Sequence, residues 1–403
     1  MKSSVLPLPV GVPPARLATR VQAIVQRALD EQRLVGAVVL VARNGRLVHQ
    51  QAAGWADREQ GRPMAVGSVF RLASVTKPIV SACALGLVAQ GRLGLDDGIE
   101  RWLPDFKPPL PTGEPACITV RQLLSHMAGL SYRFYEADAQ GPYALAGVSD
   151  GLDASTVSLE ENLRRLAGVP LLHTPGIGWR YSLATDVLGA LIERVLGMPL
   201  AEAIHQRVTG PLGMIDTDFV AREPQRVATA YVSDTPQPHR LGEGETVSAL
   251  EGVVGITYSP ARIFDAQSFA SGGAGMAGTA GDFLRLLEAL RQGDEVLLPR
   301  AWVTEMARDQ TGGLELPDAP GFGFGLGFSV LRNPRLAASP ESAGTWRWSG
   351  AYGHSWFVDP AQGLSVVAFT NTLYEGMAGG FVTQLRDAIY GALAEHTAGT
   401  GVC

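Results

Sequence analysis

Two serines compete for the role of nucleophile. In ASVTK, residues 73 to 77, Ser74 stands three positions before Lys77; in GVSDG, residues 147 to 151, Ser149 has the Gly-x-Ser-x-Gly spacing of a nucleophile elbow. A hydroxyl is a weak nucleophile at neutral pH and needs a neighbouring base to take its proton. An i, i+3 spacing on a helix puts the lysine amine on the same face as the serine, within reach of its oxygen. Lys77 can serve as that base only if it is largely neutral near pH 7, against an ordinary pKa of about 10.4. Burial and a nearby cation are the available levers, and the apolar run Pro78, Ile79, Val80 supplies burial. A helix starting at Ser74 also turns free N–H groups and positive potential toward a developing oxyanion.

Ser149 is placed differently. A nucleophile elbow is a strained turn between a buried strand and a helix, yet YEADAQGPYALA before Ser149 has no β-branched run and GLDASTVS after it reads as a loop leading to a helix cap near Ser158. Ser74 is therefore the expected nucleophile.

The elements that must position these groups follow from periodicity. After an amphipathic helix near residues 15 to 32, LVGAVVLVARNGRLVHQQAAG reads as two strands joined at Asn44-Gly45, a pair that accepts the positive φ of a tight hairpin. TWRWSG, YGHSWFVD and GLSVVAFTNT are short β-rich runs near the other end, followed by the helical pattern GGFVTQLRDAIYGALAE. The middle is mostly α: IVSACALGLVAQGRL, TVRQLLSHMAGL, LEENLRRLAGV and DVLGALIERVLGMPLAEAIHQRV carry apolar residues at helical spacing. One sheet domain built from residues 1–72 and 270–403 is expected, with residues 73–269 as a mostly helical lobe. Residues 221–267, rich in Pro, Gly, Ser and Thr, read as a long loop or rim.

Composition bounds the function. Of 403 residues, 46% are hydrophobic and 18% charged, so a large core is expected. A net charge of −6 without a basic block argues against a nucleic-acid partner. No apolar run approaches the roughly 18 residues of a membrane span, and MKSSVLPLPVGVPPA, broken by prolines, is too poor an apolar segment for a secretory signal. Cys83, Cys117 and Cys403 form no Cys-x-x-Cys, which points to a reducing, cytoplasmic compartment. The histidines 49, 126, 173, 205, 239, 354 and 396 show no ligand spacing, so no metal is expected. GAGMAG, residues 273 to 278, fits Gly-x-Gly-x-x-Gly but follows no buried strand, so no dinucleotide cofactor is expected.

ASVTK, WRYSLATDVLGALIERVLG, SGGAGMAGTAGDFLRLLEAL and WSGAYGHSWFVDP, in this order, resemble the serine β-lactamase-like hydrolases, specifically the class C-like branch called family VIII carboxylesterases. The resemblance runs nearly the whole chain. It implies an α+β fold of the β-lactamase/DD-peptidase type, an antiparallel sheet flanked by helices with a mostly helical second lobe. It implies Ser74 as nucleophile and Lys77 with Tyr181 as the base pair, the phenol lowered from about 10 by its lysine neighbour and relaying a proton to the leaving group. Two departures stand out: Tyr181-Ser182-Leu183 replaces Tyr-x-Asn, and Trp348-Ser349-Gly350 replaces Lys-Thr-Gly. The second removes a cation that would hold a β-lactam carboxylate, so Trp348, Ser349 and Gly350 are expected to bind a neutral ester. By position, the backbone N–H of Ala351 joins that of Ser74 in an oxyanion hole. The glycine-rich turn is structural in such proteins. Asp186 is expected as a buried hydrogen-bond partner, and His126 and His354 as structural side chains. A short-chain carboxylesterase without cofactor is the reading, its partner a small ester. A β-lactamase, D-amino peptidase or acyltransferase of the same fold, or a silent binding protein, are the alternatives.

Overall fold

The structure is a computed structural model and describes residues 9–11, 14, 16–248, 250–293 and 295–399. Most of the N-terminal stretch weighed as a signal, and Cys403, lie outside these residues, as does the side chain of His396.

The run GAVVLVAR forms strand β1 (Gly36–Arg43), and Asn44 and Gly45, at φ 51° and 78°, turn it into β2 (Arg46–Asp57). A short β3 (Arg62–Pro63) follows on the sheet edge. The remaining strands of this sheet come from the C-terminal part: β4 (Phe322–Phe324), β5 (Ser329–Leu331), β6 (Trp346–Gly350), β7 (His354–Asp359) and β8 (Leu364–Thr370). All pair antiparallel in the order β4-β5-β6-β7-β8-β1-β2-β3. The closure of the two chain ends is the β1–β8 ladder, with Ala37 opposite Thr370 and Arg43 opposite Leu364.

Both faces of β1 are covered, which is why its sequence is continuously apolar rather than alternating. Val39 and Val41 pack with Val366 against helices α1 (Leu17–Asp30) and the terminal helix Gly380–Gly399, through Leu17, Val21, Phe381 and Leu385. Val38 and Leu40 face the other way, into the main core with Val367 and Phe369. Helix α2 (Thr76–Ala89) runs through that core and buries nearly every residue, Lys77 included. It packs on α3 (Ala184–Leu196), and α4 (Ala280–Gln292), capped by the Thr279 hydroxyl, covers β1 and β8.

Two details differ from the sequence expectation. Residues 221–267 are not a bare loop: they fold into two short antiparallel pairs, Tyr231–Val232 with His239–Arg240 and Thr246–Val247 with Ile256–Thr257. Backbone pairing satisfies polar groups that a packed loop would strand. TVRQLLSHMAGL yields only the helix Val120–Leu124, because His126 turns to φ 57°. Among the described residues, no helix is long and apolar enough to cross a membrane.

Candidate active site

Ser74 sits in a 3-10 turn, Ala73–Val75, between the two-residue strand Phe70–Arg71 and α2. Strand, tight turn and helix are thus found at ASVTK, and not at the GxSxG pattern. Ala73 holds φ 44°, a left-handed value uncommon for a residue with a Cβ and a mark of local strain. The turn is pinned from both sides. Leu72 donates its N–H to the Met276 carbonyl at 2.8 Å, and Met276 donates to Thr76 Oγ1 at 3.2 Å.

Lys77 Nζ lies 3.3 Å from Ser74 Oγ and donates to the Gly273 carbonyl at 2.8 Å. Complete burial lowers its pKa to about 7, working against the raising charges of Asp186 and Asp150. No nearby cation is needed: burial alone supplies the shift. Tyr181, three residues before α3, donates its hydroxyl to Ser74 Oγ at 2.6 Å. The ammonium stands 4.6 Å over its ring centroid. Burial pushes the Tyr181 phenol up to about 12, overcoming the opposing hydrogen bond to Ser74. The expected lowering beside Lys77 is therefore corrected: a group that loses its water favours the neutral form, and a lysine that is itself half neutral offers little cation to offset that. Tyr181 is a phenol, a donor.

Asp186 is buried and accepts from Ser271 Oγ at 2.6 Å; burial raises its pKa. Around it the glycine-rich turn is packed tightly. A Cβ on Gly273 would lie 2.4 Å from Asp186 Oδ2, and one on Gly278 2.6 Å from Thr217 Oγ1. His126 is buried with its ring 4.9 Å from Tyr181 and Nδ1 3.2 Å from Ser182 Oγ. His354 is buried with Nε2 donating to the Arg71 carbonyl at 2.8 Å, and burial lowers it to about 4, so it stays neutral.

Ser149 is elsewhere and fully engaged. It is 1% exposed; its hydroxyl donates to Asp153 and accepts from Gly151 N–H, while Asn162 pairs with its backbone at 2.8 and 3.0 Å. It closes a loop rather than attacking a substrate.

A cleft of about 520 Å³ opens over Ser74. Trp348, Ser349 and Ala351 line it; Gly350 does not. Gly350 faces the Ser74 turn, where an added Cβ would fall 2.5 Å from the Leu72 carbonyl, so its role is to let β6 approach the nucleophile turn. Sequence reasoning missed most of the wall: Tyr132, Phe134, Tyr135 and Trp179 also face the cleft, as do Ser248, Leu250 and Val253 from the folded rim. The Tyr132–Tyr135 run YRFY and the i, i+2 relation of Trp179 to Tyr181 were the available signals. Asp150, next to Ser149, fixes that wall by accepting from Arg133 and Phe134 N–H at 2.9 and 3.1 Å. Among the described residues, no group of three His, Cys, Asp or Glu could hold a metal. Cys83 is buried, its thiol pushed up to about 12, and Cys117 is exposed; both are free.

A Ser-x-x-Lys at a helix start with its lysine buried, a tyrosine from a second element and a strand of an antiparallel sheet define a serine hydrolase of the β-lactamase fold. The chain belongs to the β-lactamase family, whose model matches residues 21–389. It is 48% identical to Esterase EstB of Burkholderia gladioli over 389 residues, 96% of this chain and 99% of that one. The solved structure of EstCE1, described as a hydrolase with promiscuous acyltransferase activity, superposes with a TM-score of 0.91 at 47% identity, covering 93% of this chain and 98% of the other. Simvastatin synthase from Aspergillus terreus shares the fold at 22% identity, with a TM-score of 0.73 over 94% of this chain and all of the other.

Proposed function

We propose that the protein is a serine carboxylesterase that hydrolyses short-chain neutral esters through an acyl-enzyme on Ser74. The observation that carries this is one oxygen held by two groups of opposite disposition: Ser74 Oγ, 3.3 Å from an amine poised near neutrality and 2.6 Å from a phenol that keeps its proton. Neutral Lys77 takes the Ser74 proton as Oγ bonds to the ester carbonyl carbon. The oxyanion is met by the backbone N–H groups of Ser74 and Ala351. As the C–O bond to the alcohol breaks, Tyr181 gives its proton to the leaving oxygen, and the Lys77 ammonium returns one to the phenolate. Water then attacks the acyl-enzyme with the same groups acting in reverse. Trp348, its ring 5.1 Å from that of Tyr181, offers apolar area and no charge beside the reacting carbon.

The esterase and hydrolase relatives support this reading. The two-lobe division at residues 72/73 and 269/270 belongs to the same proposal, with the cleft between the lobes. A cytoplasmic location is supported by unpaired Cys83 and Cys117. The test is labelling with a fluorophosphonate followed by peptide mass spectrometry, beside turnover of 4-nitrophenyl butyrate by Ser74→Ala. Label on Ser74 and an inactive variant are expected; label elsewhere with an active Ser74→Ala would overturn it.

A further inference from the structure

The proposed chemistry accounts for the floor of the cleft but leaves Arg180, the one cationic lining residue among the described residues, without a role. Asp150, Arg180 and Asp318 are the charged residues among those that line it. Asp150 is buried, its carboxylate committed to two backbone N–H groups, and burial raises its pKa to about 7. Asp318 is exposed, where solvent screens it. Arg180 is half-buried, one residue from Tyr181, with its backbone N–H anchored on the His126 carbonyl at 3.0 Å.

Its guanidinium carbon lies over the Tyr135 ring, 4.1 Å from the centroid, and Nε makes a long 3.4 Å bond to Ser131 Oγ. Among the described residues it forms no ion pair with a carboxylate, unlike Arg121 and Arg226, which are each held by two acids. A ring contact on one side leaves the remaining forked N–H donors of a guanidinium for a planar anion. A half-buried site strengthens such a contact relative to an exposed pair. The cleft also exceeds what a short acyl chain and a small alcohol fill, since pockets of roughly 300–1,000 Å³ hold drug-sized ligands.

We propose that Arg180 forms a carboxylate-binding subsite in the outer cleft, selecting esters that carry an anionic group remote from the scissile carbonyl. The inference rests on the esterase reading. It also qualifies it: Trp348 disfavours a carboxylate beside the reacting carbon, while Arg180 accepts one farther out. Neutrality is a requirement of the floor and not of the whole substrate.

Two series of probes place the charge on either side of the ester. Mono-4-nitrophenyl adipate and suberate, each against its methyl-capped counterpart, put it on the acyl side. The 4-acetoxybenzoate ion against its methyl ester puts it on the alcohol side. The readout is the ratio of kcat/KM for charged over neutral probe within each variant, so losses common to both cancel. In the parent one series should favour the charged probe by about tenfold, as expected for a charge-assisted pair. The ratio should fall to one or below in Arg180→Gln, recover in part in Arg180→Lys, and shrink in high salt. No charged probe outrunning its neutral counterpart, or an advantage that survives Arg180→Gln, overturns the proposal. Calorimetric binding of the preferred charged probe to Ser74→Ala, with and without Arg180→Gln, separates the two readings. Arg180-dependent binding alongside full turnover by Ser74→Ala would sink the catalytic assignment and leave the subsite standing.

Discussion

If Lys77 is the base, the acidity of one buried amine should govern the pH dependence of catalysis. With a pKa of about 7, half of Lys77 is neutral at pH 7 and about 1% at pH 5; at its ordinary value of about 10.4 only some 0.04% would be neutral at pH 7. Burial thus raises the supply of base about a thousandfold at neutrality. The protonated form cannot accept from Ser74, so activity is lost as pH falls through 7 and is retained above it. The value of kcat/KM for 4-nitrophenyl butyrate, which reports the free enzyme, should climb about tenfold per pH unit from 5 to 6.5 and level off above 8. Asp186 contributes the larger of the two charges that hold the Lys77 pKa up. Asp186→Asn should therefore move the inflection to lower pH while reducing the plateau, because the bond from Ser271 loses its charged acceptor. Profiles of both proteins between pH 5 and 9.5 are the assay. A flat profile from 6 to 8, a single inflection near 10, or an Asp186→Asn inflection that stays or moves upward would refute the assignment.

Lys77→Ala and Tyr181→Phe should each cost several orders of magnitude in kcat, and the double variant little more, because both act on one oxygen as a unit; losses that multiply would mean independent roles. Ser149→Ala should remain active yet lose about 1–2 kcal/mol of stability in urea melts, since its hydroxyl ties Asp153 to Gly151; an inactive, stable variant would contradict this. The ratio of kcat/KM for a butyrate ester to that for nitrocefin should exceed about a hundred, given the several kcal/mol needed to bury an unpaired carboxylate against Trp348. Trp348→Lys with Ser349→Thr should lower that ratio; a parent value near one would turn the assignment toward a lactamase.

The sequence by itself determined what is local. Ser74 and Lys77 share a helix face because three residues span nearly one turn, and GAVVLVA reads as one strand of a hairpin closed by Asn44-Gly45. The rejection of Ser149 also followed from its flanks alone. Tertiary structure decided the rest. Tyr181 meets Ser74 across 107 residues of chain, and its phenol is pushed up and not down because the shift depends on how much water the assembled walls remove. Gly350 reads as part of a binding motif, yet what it does is let its strand approach the Leu72 carbonyl, which an added Cβ would meet at 2.5 Å. The cleft wall of Tyr132, Phe134, Trp179 and Arg180, and the rim folded from residues 221–267, come from segments far apart in sequence. Periodicity records which neighbours a residue has within one turn or one pleat; desolvation, close approach and the sharing of one oxygen by two side chains depend on which distant segments pack there.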